Sequence, residues 1–267
     1  MLSSIPTELQ SQIFSDLSSK DLLFVARLSR RLYAVAVRLL YLNVELKSWT
    51  QLDSFFLPPL GSAGAVKHAE SRRKQWKTIR NLTIDLSRSL PAPDPSVARS
   101  LRDRDFETLQ IERLRVGGDI VGLLPLLKWL DPERIVIFQP YERSGGLRSL
   151  DGLGGTWKRL REVTFSQRVS LFNAFAYRFV GDSPVSEVTS VTIVLEHHQW
   201  TQDGGTESQI ISFVLLRFPS LQHLRVVVRD QERKSKLQAL FKHGFGGKEA
   251  TLFSVELADF SRFGFDH

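Results

Sequence analysis

A short phrase recurs through the later part of this 267-residue chain and constrains its fold more than any other feature. It consists of an apolar residue, two variable residues, a second apolar residue, one variable residue and a third apolar residue, usually β-branched. The copies are Ile79-Leu82-Ile84, Ile111-Leu114-Val116, Leu160-Val163-Phe165, Val188-Val191-Ile193, Leu221-Leu224-Val226 and Leu252-Val255-Leu257. In a weaker copy Pro132 takes the first slot, followed by Ile135 and Ile137. Successive starts lie 32, 21, 28, 28, 33 and 31 residues apart, a loose period. Alternation within each phrase predicts a strand, and several of the intervening stretches predict helices. Asp94-Pro95 can cap and open one helix, and Thr206 with Gln209 forms a capping box ahead of Ile210, Ile211, Val214 and Leu215. Leu237, Leu240 and Phe241 make another stripe that Gly244 is placed to end, and the aromatic-rich run from Ser170 to Val180 stops at Gly181. Units of this kind cannot bury their own apolar faces alone, so they stack into a curved solenoid lined by a parallel sheet. An ordinary α/β domain is the competing reading.

In a solenoid, the residue between the second and third apolar positions points to the concave face. Those residues are Thr83, Arg115, Val136, Thr164, Thr192, Arg225 and Glu256. They are expected either to form part of a target-binding surface or simply to be solvated sheet positions. This region is similar to leucine-rich repeats in a degenerate form, because the family's recurrent Asn is missing from most copies.

The first 46 residues have a different character. Pro6 suits a helix start, and Leu9, Ile13, Phe14 and Leu17 follow on one helical stripe. Ser18 and Ser19 break that helix, and with Asp21 they favour a second from about Lys20 to Leu28, with Leu22, Val25, Ala26 and Leu28 apolar. A third, LYAVAVRLLYLNV, is apolar on nearly every face. So small a bundle, without any Cys to staple it, sits near the limit of what one core can hold, so an exposed apolar surface on it reads as an interaction face.

Ile5-Pro6, Glu8-Leu9, Ile13-Phe14, Leu17, Asp21-Leu22, Val25 and Ser29-Arg30 stand in the order of an F-box, and the segment resembles that family. It departs from the usual pattern at Ile5, normally Leu, and at Ser18-Ser19, where a second Pro is common. The resemblance implies an α/β protein with a three-helix F-box over 1–46, a helical linker over 47–75 and a repeat-like target-binding domain over 76–267. It implies a non-enzymatic adaptor of a Skp–cullin–F-box ubiquitin ligase, one that promotes protein degradation by holding a target near the conjugating machinery. Docking on the Skp adaptor is carried onto Ile5, Pro6, Leu9, Ile13, Phe14, Leu17, Leu22, Val25 and Leu28, with Phe14 the expected anchor; some of these must instead form the internal core. A Skp-binding scaffold that works without cullin and a basic nucleic-acid-binding repeat protein are the alternatives.

Lys plus Arg exceeds Asp plus Glu by 36 − 29 = 7, with clusters at Arg72-Arg73-Lys74, Lys158-Arg159-Arg161 and Arg233-Lys234-Lys236. This charge is expected to be an ordinary solvated surface, or else to meet an acidic or phosphorylated partner, with direct nucleic-acid binding less favoured. No apolar run approaches the length of a membrane span, and MLSSIPTELQ lacks the form of a secretory signal, so the expected place is the cytoplasm, the nucleus or both. The absence of Cys removes thiol catalysis and Cys-based zinc sites. His197-His198 would point to opposite faces of a strand, GFGGK lacks the spacing of a phosphate loop, and DGLGG precedes a strand instead of a helix. No cofactor or metal site is expected.

Overall fold

The computed structural model describes residues 5–56, 74–86, 107–118, 123, 126–140, 157–167, 187–195, 218–244 and 253–257. Three helices open the chain: α1 (Thr7–Ser15), α2 (Ser19–Leu28) and α3 (Arg30–Leu42). Pro6 is the N-cap residue of α1, one place earlier than a first helical residue, and its carbonyl accepts from the Gln10 N–H at 3.0 Å. Ser18 caps α2 by accepting from the Asp21 N–H at 3.2 Å while its hydroxyl donates to Asp21 Oδ2 at 2.6 Å. Ser29 caps α3 through the Leu32 N–H. The helices meet over a small core of Phe14, Leu22, Leu32, Val35 and Ala36.

The last residue of α3 runs straight into β1 (Asn43–Leu46), the first of eight parallel strands that lie side by side in chain order. The others are β2 (Asn81–Asp85), β3 (Leu109–Gly118), β4 (Leu130–Pro140), β5 (Glu162–Gln167), β6 (Ser190–Leu195), β7 (His223–Val228) and β8 (Phe253–Leu257). Helix α4 (Trp49–Phe56) follows β1, capped by Ser48, and α5 (Gln231–Gly244) follows β7, capped by the Asp230 carboxylate on the Arg233 N–H at 2.7 Å. The result is mixed α/β: N-terminal helices, then a parallel sheet with helices.

Every described strand phrase lies in this sheet, and β1 adds a copy that helical continuity concealed, Tyr41-x-x-Val44-x-Leu46. Register aligns the copies: Val44, Leu82, Leu114, Ile135, Val163, Val191 and Leu224 stand in one row across seven strands. The final pair is offset by two residues, with Leu224 opposite Phe253 and Val226 opposite Val255. A shift of two keeps every side chain on its face, so the row closes on Phe253, and Val255 falls in the next apolar row. One apolar core runs from Leu46 to Val255 and takes in Trp49, Leu52 and Phe56 of α4 and Leu237 of α5.

Two further regularities tie each unit to the next. The carbonyl after the first apolar position accepts from the following unit: Arg80 from the Glu112 and Arg113 N–H groups at 2.8 and 3.0 Å, Arg161 from Thr189 and Ser190 at 2.9 and 3.1 Å, Thr189 from Gln222 and His223 at 2.8 and 3.0 Å. Arg80 in turn donates to Leu42 O at 3.1 Å, which joins the helical segment to the same ladder. Three residues before the phrase, a buried aromatic closes the turn; the carbonyls of Trp76, Trp157 and Phe218 accept from Ile79, Leu160 and Leu221 at 3.0, 3.5 and 3.0 Å. The runs WKTIRNLTI, from Trp76, and WKRLREVTF, from Trp157, share Trp, Lys, Arg and Thr at equal spacing.

Candidate partner and target surfaces

Burial divides the nine residues expected to dock on a partner. Phe14 and Leu22 are enclosed in the three-helix core, and Leu17 and Val25 pack against it. Phe14, the expected anchor, is only 5% exposed, so its ring serves the interior of the bundle. Ile5 is half-buried, and its carbonyl accepts from Gln10 Nε2 and Arg31 Nη2, both at 3.0 Å, which fixes the entry to α1. Pro6, Leu9, Ile13 and Leu28 stand exposed. Three residues the sequence reading passed over join them: Leu23, Phe24 and Tyr33, 54%, 65% and 51% exposed. The signal for these was present, since Leu23, Phe24 and Leu28 fall within about 140° of arc on α2, outside the arc that Leu22 and Val25 turn inward.

On the sheet, the face away from the core carries the expected target row. Thr83, Arg115, Val136, Thr164, Thr192 and Arg225 lie directly opposite one another across six strands, with Glu45 before them. The row ends on Ser254, not Glu256, because of the two-residue offset at β8. Glu256 is opposite Val227 on the same face, and its carboxylate accepts from Arg225 Nη2. Two residues earlier runs a second row on that face: Asn43, Asn81, Arg113, Arg134, Glu162, Ser190 and His223. Strand alternation alone predicts it, since positions two apart share a face. Asn81 Nδ2 donates to Asn43 Oδ1 at 2.7 Å, and Arg134 Nε pairs with Glu162 at 3.3 Å.

This face is not uniformly polar. Phe138, Val194 and Val227 form a separate buried apolar cluster on it, with Val136 packed alongside. Gly117 makes room for Phe138, since a Cβ there would come within 2.6 Å of the ring. Gly118, with φ of 87°, takes up the bulge that shifts β3 against β4. The Arg115 guanidinium sits 5.2 Å above the same ring.

Where this face meets the N-terminal helices there is a hollow of about 710 Å³, lined by Tyr41, Asn43, Glu45, Asn81, Thr83, Arg113 and Arg115 among others. A neighbouring hollow of about 200 Å³ shares Arg113 and Arg115 and adds Arg134, Val136, Glu162 and Thr164. Among the described residues no group of three or more His, Cys, Asp or Glu side chains is placed to hold a metal ion. No described helix is long and apolar enough to cross a membrane. The expected helices near Asp94 and Thr206, the aromatic run from Ser170, His197-His198, DGLGG and most of GFGGK lie outside the described residues.

Residues 2–46 match the family model described as F-box-like. A search of curated proteins gave no match. Domains of the F-box family occur in adaptor proteins rather than enzymes, and this match supports binding of a Skp-type partner.

Proposed function

We propose that this chain is the target-recognition adaptor of a Skp–cullin–F-box ubiquitin ligase, acting inside the cell in the cytoplasm, the nucleus or both. The N-terminal helices dock on the Skp adaptor, and the sheet domain holds a protein target on the face away from its core. One coincidence carries the reading. The segment that matches the F-box-like family also bears Leu9, Ile13, Leu23, Phe24, Leu28 and Tyr33, all about half exposed or more. Covering one such half-exposed side chain contributes about 1 kcal/mol, so a partner that covers several supplies what the small core lacks.

We read the sheet domain as a degenerate leucine-rich-repeat solenoid that begins at Asn43. The sequential parallel order, the repeated carbonyl ladder and the recurring aromatic turn support that reading. Helix α3 passes into β1 without a linker, so the docking helices and the target face belong to one continuous backbone ladder. The adaptor contributes proximity: a target held beside a charged conjugating enzyme presents its lysines at high effective concentration, with no catalytic group needed in this chain.

The test is co-purification of the full chain with a Skp adaptor and a cullin. The double variant Phe24→Ala with Leu28→Ala should lower adaptor affinity at least about tenfold while leaving the unfolding midpoint in place. Undiminished binding rejects the docking face. Capture of the Skp adaptor with no cullin in the complex favours the scaffold alternative.

A further inference from the structure

On the far face of the sheet two arginines pair with an acid of the next strand, one directly opposite and one a diagonal step away. Arg134 meets Glu162 on the next strand, and Arg225 meets Glu256. Arg113 breaks this pattern, because neither its register neighbours, Asn81 on β2 and Arg134 on β4, nor the diagonal Thr83 and Val136 are acidic. Adjacent strands lie about 4.8 Å apart, so Arg113 and Arg134 bring two cations side by side, and Arg115 adds a third two residues along β3. Arg134 is already paired with Glu162, which leaves Arg113 as the cation of the two placed to meet a group that arrives from outside.

The patch also has form. Arg113 and Arg115 line both hollows, whose other polar walls are Thr83, Asn81 and Thr164, donors as well as acceptors. Arg115 is set over the Phe138 ring, which orders a long side chain before any ligand comes. A guanidinium carries five N–H donors, so a cation–π contact leaves donors for an oxyanion. Two carboxylates, Glu45 and Glu162, belong to the same walls; Glu45 pairs with Lys47 at 3.1 Å and Glu162 with Arg134 at 3.3 Å.

We propose that the hollow around Arg113 and Arg115 binds an acidic segment of the protein target, its glutamate or aspartate carboxylates taking the place that the neighbouring strands leave without an acid. The proposal rests on the target-holding role assigned above and gives the target its chemistry. Carboxylate is the anion this face already uses, since Arg134 and Arg225 each pair with a glutamate. The hollow opens beside α3, so a segment seated there lies next to the helices assigned to Skp docking.

The experiment uses the full chain and a short fluorescein-labelled peptide of alternating Glu and Gly, followed by anisotropy. Saturable binding that weakens with salt, and that Arg113→Ala lowers about tenfold, is the expected result. Glu162→Gln, which removes a competing carboxylate and releases Arg134 from its ion pair, should tighten binding two- to threefold. Absence of saturable binding, or equal binding of the Gln-Gly peptide, overturns the proposal. So does a phosphoserine peptide or a DNA duplex bound more than tenfold tighter than the Glu peptide. Skp-adaptor capture is measured on the same variants. Retained capture with no peptide binding defeats this site alone, whereas peptide binding by a chain that captures no Skp adaptor leaves the site standing and defeats the ligase reading.

Discussion

The two ends of this molecule handle apolar surface in opposite ways. Six of the seven large apolar side chains that stand exposed among the described residues belong to the three N-terminal helices; the seventh is Leu257 on the last strand. The sheet, by contrast, encloses its phrase positions almost completely: Leu82, Leu114 and Val191 are all 0% exposed. The difference is geometric. Each strand of the sheet finds a neighbour on both sides from within the chain, except at β1 and β8, so burial accumulates with every unit added. A bundle of three short helices has a fixed and unfavourable ratio of surface to volume, and it leaves a whole apolar side of α2 uncovered. One region is finished by repetition, and the other leaves apolar surface for the proposed partner to cover.

The largest expected effect lies in the finished region. Trp157 is 2% exposed, closes a repeat turn and donates its indole N–H to Leu127 O at 3.0 Å. Trp157→Ala should cost about 3–5 kcal/mol, with the orphaned carbonyl adding to the cavity. Chemical denaturation of the full chain reads this directly. A loss under about 1 kcal/mol would mean that the aromatic turn does not seal the repeats.

Phe14 tests the unfinished region. Its ring is one of five side chains that make the helical core, so Phe14→Ala should cost about 3 kcal/mol there and lower the helical signal while the sheet persists. On the proposed docking role the folded bundle is the form that binds the Skp adaptor, so saturating adaptor should restore much of the lost structure. Phe24→Ala should do the reverse, sparing structure and weakening capture. Were the two variants to behave alike, the division between core and docking face drawn from burial would fail.

The sheet was legible in the sequence because alternation and apolar content coincide in each phrase, as a strand with one face on the core requires. The first strand was harder to read. Tyr41, Val44 and Leu46 continue an apolar helix without a Gly or Pro between, so the switch from helical to strand periodicity has no punctuation. The offset at β8 is invisible for another reason, since a slip of two conserves every inward and outward residue. Phe138 was missed because its place on the far face depends on Gly117 lacking a side chain, a relation between strands that no single phrase contains. On the helices, the F-box pattern marked the module, but residue type alone did not separate Phe14, which is enclosed, from Phe24, which is not.

Capping separates the two regions on a smaller scale. The bundle has little core to fall back on, so Ser18→Ala, which removes both the acceptor for the Asp21 N–H and the hydroxyl bonded to its carboxylate, should cost about 1 kcal/mol. Ser18→Thr should recover most of it, because Thr can make the same bonds. Thermal melts of the helical signal measure both, and an unchanged Ala variant would show that α2 is held by packing alone.

The smallest effect is expected on the surface of the sheet. Arg80 pairs with Glu112 at 2.8 Å across the first repeats, but the two side chains are 61% and 49% exposed, and solvent screens such a pair. Glu112→Gln should therefore change stability by about 0.5 kcal/mol or less, with added salt abolishing even that. Arg80 keeps its structural role through the backbone: its N–H reaches Leu42 O and its carbonyl accepts from two residues of β3. A loss of several kcal/mol on Glu112→Gln would place the coupling between helices and sheet in side-chain charge. A negligible loss leaves it with the backbone ladder, which no side-chain substitution short of proline removes.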